Sequence, residues 1–434
     1  MKLHHIVIVG GGAGGLVLAT KLGHKLGKSR KARITLIDAE LTHIWKPLLH
    51  EVAVGTLDSH KDDVVYLSHA IYHGFEFQRG RMDGLDRGRR EVSLSPFRDE
   101  QGREIIPSRT VSYDTLVIAV GGVCNDFGTP GVREHCLFLD THPEASEVQR
   151  LLLNCCLRAQ TREGALTEGQ LNVAIVGAGA TGVELSSELH IATRRMVAYG
   201  FDRINPEMDV KIHLVEAAPR VLSMLPENLS EATEKELRRL DVNLHLGEQV
   251  TLASDKGIAT KSGLFIPAEI RIWAAGVKAP DFLRDMDGLE TNRLNQLVVD
   301  QTMQVTRDEH IFALGDCAAC PRPGSERPVP PRAQAAYQQA YALADSLIRR
   351  LNGKPAKPFV YKDYGSLISL SDRSVGNIAV VVLGSITVRG MLAKLVYMSL
   401  YKKHQLALHG PIWVALASLI NLIRLRTEPR LKLH

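Results

Sequence analysis

Cysteine is scarce in this 434-residue sequence, which contains six in all. So few cysteines in so long a chain do not make a disulfide framework, and free thiols fit a reducing compartment. Long apolar runs are lacking too, since no stretch reaches the roughly 18 uninterrupted apolar residues that a membrane-spanning helix needs. Met1 lies only a few residues before the first predicted strand, so we expect neither a signal peptide nor a transit peptide.

A strong excess of one charge is also lacking. The net charge is only +5, and we find no sequence motif for nucleic-acid binding, so we expect no nucleic-acid partner. Hydrophobic residues make up 45% of the chain and charged residues 23%, which is typical of a globular protein. The length predicts two or three domains.

Two glycine-rich segments of the same form, G-x-G-x-x-G, are what the sequence does offer. Their glycines are Gly10, Gly12 and Gly15 in the first segment, and Gly177, Gly179 and Gly182 in the second. Each segment follows a run of β-branched residues and precedes a helical pattern. In that context backbone N–H groups and a helix N-terminus can hold a pyrophosphate, although glycines also form ordinary tight turns.

An acidic residue ends a later strand after each glycine segment. These residues are Asp38, in the run ITLID, and Glu216, in the run IHLVE. A carboxylate in this position accepts hydrogen bonds from ribose hydroxyls. Two dinucleotide sites in one chain indicate that electrons pass between two cofactors.

The order of these patterns predicts an α/β fold. We expect two Rossmann-like dinucleotide-binding domains, the second inserted in the first, and a C-terminal membrane-associating helical segment. The predicted boundaries are 1–165 and 287–370 for the first domain, 166–286 for the second and 371–434 for the C-terminal region. Helices are predicted around Pro143 to Ala159 and from Arg332 to Leu351.

With these pieces in order, the chain resembles the type II NADH:quinone oxidoreductases, a family of flavoproteins with two dinucleotide sites, in its bacterial, enterobacterial-like form. The resemblance covers essentially the whole length. Its most specific parts are HIWKPLLHEVAVGTLD from His43 to Asp58, LGDCAACPRP from Leu314 to Pro323, PPRAQAAYQQA from Pro330 to Ala340, and the basic, apolar tail.

The resemblance implies that the first glycine segment binds FAD, with Asp38 on the ribose and Asp316 on the ribitol chain. Asp316 could instead cap a turn. The loop from Trp45 to Leu49, including Lys46, would line the flavin ring. The remaining predicted FAD contacts are Gly121, Ala333 and Gln334.

The second glycine segment would then hold NADH, together with Gly276. Glu216 favours a free 2′-hydroxyl over a 2′-phosphate because two negative charges would repel, although the nearby Arg220 could accept that phosphate. Glu184 is predicted in the first turn of the following helix, where an acid can simply complement the helix dipole. The resemblance implies instead that Glu184 faces the nicotinamide and flavin and takes part in quinone reduction, as a proton carrier.

Gln334 and Gln338 are four residues apart, so both lie on one face of a predicted helix. The resemblance places this face beneath the flavin, at the quinone pocket, where amides can hydrogen-bond a quinone carbonyl. The helix N-terminus near Ala333 would stabilise negative charge on reduced flavin. We therefore count Glu184, Gln334 and Gln338 as candidate catalytic residues.

Cys317 and Cys320 form a single C-x-x-C pair. A zinc site needs four ligands and no second pair is suitably spaced, so we expect no metal. A redox disulfide and a thiophilic metal stay open as alternatives to plain structural thiols.

The sequence from Val388 to the C-terminus contains eight lysines or arginines and one acid, Glu428. Apolar residues recur there at helical spacing on either side of Gly410 and Pro411. This pattern predicts two helices that lie on an anionic lipid surface, and a helical pair that forms a homodimer or covers the core is the alternative.

The expected activity is oxidation of NADH and two-electron reduction of a membrane quinone to quinol, without proton pumping. The expected location is the cytoplasmic face of the inner membrane, as a peripheral protein. Alternatives are an enzyme of the sulfide:quinone oxidoreductase type, whose cysteines are not matched here, and an NADH-responsive flavoprotein that acts as a sensor or interaction module. The residues do not distinguish ubiquinone from menaquinone.

Overall fold

The structure is a computed structural model that describes residues 2–57, 63–365, 367–370, 378–383, 386–389 and 391–427. The last residues of the tail, with Glu428, Arg430 and Lys432, lie outside the described residues, as does Asp58. The described chain forms two compact units. The first comprises 1–45, 62–123 and 277–362, and the second 46–61, 124–276 and 363–434.

The helices are numbered in chain order. They are α1 Gly15–Leu22, α2 Leu49–Ala53, α3 Tyr66–His73, α4 Val132–His135, α5 His142–Thr161, α6 Ala180–Ala198, α7 Glu227–Arg239, α8 Ala333–Leu351, α9 Met391–His409 and α10 Pro411–Thr427. A π-helical turn, Gly23–Gly27, continues α1. Short 3-10 turns are Lys46–Leu48, Asp281–Leu283, Met286–Gly288 and Gly315–Cys317.

The strands are numbered in the same way. They are β1 His4–Val9, β2 Ala32–Asp38, β3 Thr42–His43, β4 Val64–Val65, β5 Glu76–Arg79, β6 Met82–Asp86, β7 Glu91–Leu94, β8 Phe97–Arg98, β9 Glu104–Ile106, β10 Arg109–Ser112, β11 Thr115–Ile118, β12 Val123–Cys124, β13 Val173–Val176, β14 Ile212–Glu216, β15 Val242–Leu246, β16 Val250–Ser254, β17 Gly257–Thr260, β18 Phe265–Pro267, β19 Ile270–Trp273, β20 Val277–Lys278, β21 Leu297–Val298, β22 Ile311–Ala313, β23 Ala318–Ala319, β24 Leu367–Leu370, β25 Ile378–Leu383 and β26 Ile386–Arg389.

The first unit is built on a parallel sheet in the order β22-β11-β1-β2-β5. The central strand β1 is almost wholly buried and apolar, as expected of a parallel strand covered on both faces. Helix α1 packs against β2 and against α8. An antiparallel sheet, β10-β7-β6, accounts for much of the polar stretch between Phe75 and Thr110.

The second unit repeats the parallel plan with the order β15-β14-β13-β19. An antiparallel sheet β16-β17-β18 adds a second layer, and its residues share a buried apolar cluster with Val176, Val215 and Trp273. The C-terminal helix α9 packs against the antiparallel sheet β24-β25-β26.

The predicted fold class is confirmed, because each glycine segment joins the first strand of a parallel sheet to a helix. The helix predicted around 143–159 extends from His142 to Thr161, since Thr141 and Glu144 form a capping box at its start. Two tail helices meet at Gly410 as expected. Of the described helices, none combines the length and apolar character that crossing a membrane requires. The division of the chain into four segments stays a prediction.

Candidate active site

The two glycine segments have the same backbone geometry. Gly10 has a φ of +101° and Gly177 one of +102°, values that favour glycine strongly. The third glycine of each segment sits on the carbonyl of the first: a Cβ on Gly15 would lie 1.8 Å from the Gly10 oxygen, and one on Gly182 would lie 1.9 Å from the Gly177 oxygen. Each segment therefore makes the tight turn and the close strand–helix packing of a dinucleotide-binding fingerprint.

The middle glycine of each segment faces open space. A Cβ on Gly12 or on Gly179 would meet no other atom within 4 Å. Gly179 is the N-cap residue of α6, and Gly12 closely precedes α1, so the unpaired N–H groups of a helix start lie beside each open space. A pyrophosphate fits both cradles, since it needs close backbone approach and a helix N-terminus.

The two acids hold these cradles in shape. Asp38 Oδ2 accepts a hydrogen bond of 2.6 Å from the backbone N–H of Gly11, and Glu216 Oε2 accepts one of 2.7 Å from that of Ala178. Burial raises the pKa of Asp38, while the hydrogen bonds from Glu40 and Gly11 oppose that rise. Each carboxylate thus lies at the edge of its cradle, and a ribose contact stays a prediction.

Arg220 is engaged within its own turn. Its guanidinium donates 2.9 Å from Nη1 to the carbonyl of Leu225 and 2.7 Å from Nη2 to that of Ser223. These donors would have to break away from two carbonyls before they could bind a 2′-phosphate. The arrangement favours a cofactor without that phosphate.

Asp316 lies in the 3-10 turn Gly315–Cys317 that follows β22. The N–H of Gly315 donates 2.8 Å to Oε1 of the buried Gln339, and Gln296 Nε2 donates 2.9 Å to the Asp316 carbonyl. The half-buried Asp316 is thereby presented on a fixed turn at the carboxyl end of a parallel strand. Sequence reasoning missed Gln339, although it belongs to the same glutamine-rich motif.

The helix α8 begins at Ala333 with Arg332 as its N-cap residue, one residue after the predicted start. Both groups of the Gln338 amide bind backbone: Nε2 donates 2.8 Å to the Lys362 carbonyl, and Oε1 accepts 3.1 Å from the Lys362 N–H. Gln338 therefore anchors the segment that follows the helix. Gln334 lies one turn earlier and is half-buried.

The other predicted cofactor contacts occupy turns at strand ends. Gly121 has a φ of +72° just after β11, and Gly276 has one of +67° just after β19. A Cβ on Gly276 would lie 2.5 Å from the Phe127 ring. Lys46 donates from Nζ, at 2.9 Å, to Asp140 Oδ1, and Asp140 Oδ2 accepts 2.7 Å from the N–H of Cys124.

Glu184 is buried beside a histidine that sequence reasoning passed over. His50 Nδ1 lies 3.7 Å from Glu184 Oε2, and both side chains are less than 10% exposed. The helix α6 begins at Ala180, so Glu184 lies in its second turn, and the prediction of the first turn was wrong. Its distance from the helix start weakens the helix-dipole explanation, because that effect falls off within the first turn.

His50 is uncharged at neutral pH. Burial lowers its pKa to about 4, although a hydrogen bond with the Pro47 carbonyl opposes the shift. It lies in α2, which packs against α5 and α6. The only sequence signal for this residue was its place in the motif from His43 to Asp58, four residues after Lys46.

The six cysteines are free thiols of low reactivity. Burial raises the pKa of each, to between about 11 and about 12. Cys317 and Cys320 are fully buried, and Cys317 Sγ donates 3.2 Å to the Leu314 carbonyl. Among the described residues, no group of three or more His, Cys, Asp or Glu could hold a metal ion.

Comparison with known proteins agrees with this geometry. The model of the pyridine nucleotide-disulphide oxidoreductase family matches residues 4–340. A protein of Haemophilus influenzae described as a type II NADH:quinone oxidoreductase is 42% identical over the full length of both chains. The chain belongs to the type II NADH:quinone oxidoreductases.

A more distant type II NADH:quinone oxidoreductase, from Staphylococcus aureus, is 30% identical over 84% of this chain and 87% of its own. Two solved structures share the fold alone. The NDH2 of Plasmodium falciparum in complex with NADH has a TM-score of 0.81 at 18% identity, covering 99% of this chain and 100% of its own. The sulfide:quinone oxidoreductase of Aquifex aeolicus has a TM-score of 0.73 at 17% identity, covering 98% and 96%.

Membership of the type II NADH:quinone oxidoreductases confirms the predicted family, and makes the chain an NADH-dependent flavoprotein oxidoreductase with quinone as its acceptor. The fold alone would not separate it from sulfide:quinone oxidoreductase, since both solved structures match. The two relatives identified by sequence make that distinction.

Proposed function

We propose that this protein is a peripheral membrane enzyme that oxidises NADH and reduces a membrane quinone to quinol by two electrons, without pumping protons. The observation that carries the proposal is the pair of matching dinucleotide cradles, at Gly10–Gly15 and Gly177–Gly182, in one chain. FAD, when bound, accepts two electrons from NADH as a hydride and releases them to quinone.

The first cradle and its flanking groups suit FAD. The backbone at Gly12 and the start of α1 would bind the pyrophosphate, with Asp38 on the ribose and Asp316 on the ribitol chain. Lys46, Gly121 and the start of α8 at Ala333 would contact the flavin ring, where the helix N-terminus stabilises negative charge.

The second cradle suits NADH over NADPH. The backbone at Gly179 would bind the pyrophosphate, and Glu216 would accept hydrogen bonds from the free ribose hydroxyls. A 2′-phosphate would meet the Glu216 carboxylate, while the carbonyls of Ser223 and Leu225 keep Arg220 occupied. Repulsion without a compensating cation selects against NADPH.

Glu184 would carry a proton for quinone reduction. Conversion of a quinone to its quinol takes up two electrons and two protons, so a group must supply protons in a site that excludes water. Glu184 is buried, and its neighbour His50 is neutral. A carboxyl group in such surroundings can change protonation state during turnover.

Gln334 would hydrogen-bond a quinone carbonyl, and both groups of the Gln338 amide bind the Lys362 backbone. In this proposal Gln338 holds the segment after α8 in place and affects quinone binding through it.

The membrane contact would be made by α9 and α10. Apolar side chains of α10 are exposed to solvent, among them Ile412, Trp413, Leu416, Leu419 and Ile420. The tail sequence from Val388 onward is strongly basic, which suits an anionic lipid surface. A peripheral position on the cytoplasmic face of the inner membrane, with a homodimer as its assembly, completes the proposal.

A sulfide:quinone oxidoreductase activity is disfavoured by the thiols. Chemistry on sulfide needs a reactive thiolate, whereas burial keeps all six cysteines protonated at neutral pH.

The decisive experiment is an absorption spectrum of the purified holoenzyme. NADH should bleach the flavin band and a quinone analogue should restore it, with steady-state NADH oxidation dependent on quinone. A flavin that NADH bleaches but quinone does not restore would identify a sensor instead. A flavin that sulfide bleaches and NADH does not would identify the sulfide-oxidising alternative.

A further inference from the structure

A ridge of exposed apolar side chains runs along α3 in the first compact unit. We call it the α3 ridge, and its members are Leu41, Val65, Leu67, Ile71 and Tyr72. Ile71 is 81% exposed and Tyr72 is 74% exposed. Leu67 and Ile71 are four residues apart, so they stack on one face of the helix. Large apolar side chains clustered in this way mark an interaction surface in a soluble protein.

The opposite face of α3 fixes the ridge in place. Tyr66 is buried, and its hydroxyl donates 2.9 Å to the carbonyl of Gly11 in the first dinucleotide cradle. His69 is also buried, and its Nε2 lies 2.9 Å from Thr20 Oγ1 on α1. These contacts hold α3 in place, so the folded unit keeps the ridge side chains facing outward.

The C-terminal end of the ridge is positively charged. His73 Nδ1 lies 2.6 Å from Nε2 of His24. Burial lowers the pKa of His24, and the positive charges of the nearby Lys28 and Lys25 lower it further. Lys28 also lies against Gly74, the C-cap residue of α3. Residues 23–37 include five lysines or arginines and no acid.

The acids near the ridge divide between its two ends, and Glu40 and Asp63 lie at the end away from Tyr72, where they add to the rise that burial causes in the pKa of Tyr66. Glu76, on the strand after α3, forms an ion pair with Arg33, with Nη2 2.6 Å from Oε2. Asp63, before the start of α3, accepts 2.8 Å from the Thr42 hydroxyl. The net charge at the end of the ridge that carries Ile71 and Tyr72 is therefore positive.

We propose that the α3 ridge is a second membrane contact, in which Leu67, Ile71 and Tyr72 enter the interface of an anionic bilayer while Lys25 and Lys28 meet its headgroups. The proposal rests on the peripheral membrane location proposed above, but it uses residues of the first unit, whereas the tail helices belong to the second. Tyrosine beside aliphatic residues suits the boundary between headgroups and acyl chains.

The same charges disfavour a second copy of the chain as the occupant. An isologous contact through the ridge would bring Lys25 and Lys28 of both copies to one interface, where like charges repel. An anionic lipid surface supplies the complementary charge.

The test places a nitroxide spin label on the full-length holoenzyme at one site at a time. The sites are Ile71→Cys on the ridge, Ile412→Cys on the tail helix α10, and Met208→Cys, a highly exposed position elsewhere, as the control. The collision rates of the nitroxide with oxygen, which concentrates in the bilayer, and with a neutral nickel chelate, which stays in water, are measured with and without vesicles of phosphatidylglycerol and phosphatidylcholine. A fall in nickel collisions on adding vesicles is called protection. Vesicles should raise oxygen collisions and lower nickel collisions at both Ile71→Cys and Ile412→Cys, and change neither at Met208→Cys.

Vesicle binding of unlabelled variants gives a second measurement. Ile71→Ser with Tyr72→Ser should lower partitioning about tenfold or more, and Ile105→Ser, an exposed isoleucine of the same unit, should leave it unchanged. Lys25→Gln with Lys28→Gln should lower it about fivefold for each charge removed, on anionic vesicles only.

Three outcomes overturn the inference. Protection at Ile412→Cys without protection at Ile71→Cys means that the tail alone binds lipid. Protection at neither site means that the proposed membrane location fails, and the ridge contact with it. Protection at Ile71→Cys that grows with protein concentration in the absence of lipid means that a second copy covers the ridge.

Discussion

The imidazole of His50 and the carboxyl group of Glu184 face each other in the interior of the second unit, with Nδ1 and Oε2 3.7 Å apart. The histidine comes from the short helix α2 and the glutamate from α6. Because His50 is neutral at neutral pH, it brings no charge next to the Glu184 carboxyl group. The pair therefore places a neutral imidazole against the carboxyl group that we propose as the proton carrier.

Glu184→Gln should leave reduction of the flavin by NADH largely intact and slow quinol formation, on the order of a hundredfold, because an amide cannot carry the proton. Stopped-flow absorbance of the two half-reactions measures this. Glu188→Gln, one turn further along the same helix, is the matched control. Equal rates for Glu184→Gln and the wild type in both half-reactions would leave Glu184 with a structural role only.

Acid should destabilise the fold through His50. Its pKa is about 4 in the folded protein and about 6.5 in the unfolded chain. Above pH 6.5 neither state binds the proton. Between pH 6.5 and 4 the unfolded chain binds it and the folded chain does not, so the free energy of unfolding falls, by about 3 kcal/mol in all.

Thermal midpoints followed by flavin fluorescence between pH 7.5 and 4.5 measure this effect. The midpoint of the wild type should fall more steeply with pH than that of His50→Gln, which has no group to protonate. Parallel curves would mean that Glu184 attracts the imidazolium strongly enough to keep the His50 pKa near 6.5.

Much of the fold was predictable because it depends on local pattern. A β-branched strand, a glycine turn and a helix are neighbours in sequence, so Gly10 and Gly177 identified both parallel sheets. The start of α8 at Ala333 was predictable for the same reason, since Pro330 and Pro331 precede it.

The contacts that complete the candidate site were not predictable. His50 meets Glu184 only after two helices distant in sequence have packed together. The spacing of Gln334 and Gln338 correctly placed them on one helix, but could not tell that the Lys362 backbone would bind one of the two. Side-chain roles of this kind depend on tertiary packing, which no local pattern encodes.

Glu216→Arg should shift cofactor preference toward NADPH by one to two orders of magnitude in the ratio of kcat/KM values, because it removes a ribose acceptor and adds a partner for the phosphate. Steady-state kinetics with both nucleotides measure the ratio. Glu207→Arg, an exposed acid of the same unit, should not move it. An unchanged ratio in Glu216→Arg would reject the assignment of the second cradle to NADH.

Removal of α10 by truncation before Pro411 should weaken membrane binding and lower activity with long-chain quinone. The exposed apolar face of α10 would become buried in the bilayer, which favours binding. Each basic residue near an anionic surface adds about 1 kcal/mol to the binding free energy. Ferricyanide reduction should persist, because both dinucleotide cradles lie upstream. This truncation leaves β26 and α9 whole, so α9 still packs against the sheet β24-β25-β26.

Sedimentation with vesicles and assays with ferricyanide, short-chain quinone and long-chain quinone separate the effects. Met224→Ser, which changes an exposed apolar residue far upstream in the sequence, is the control for lost surface apolarity. Full long-chain quinone activity and full sedimentation after truncation would show that α10 is not an anchor.

The buried thiols can also report local unfolding of each unit. Alkylating reagents attack thiolates that solvent can reach, and five of the cysteines are both buried and protonated in the native fold. Cys317 and Cys320 lie in the first unit, and Cys136, Cys155 and Cys156 in the second. The rate at which each cysteine becomes alkylated would therefore measure the local opening of each unit separately, with no cysteine introduced by mutation.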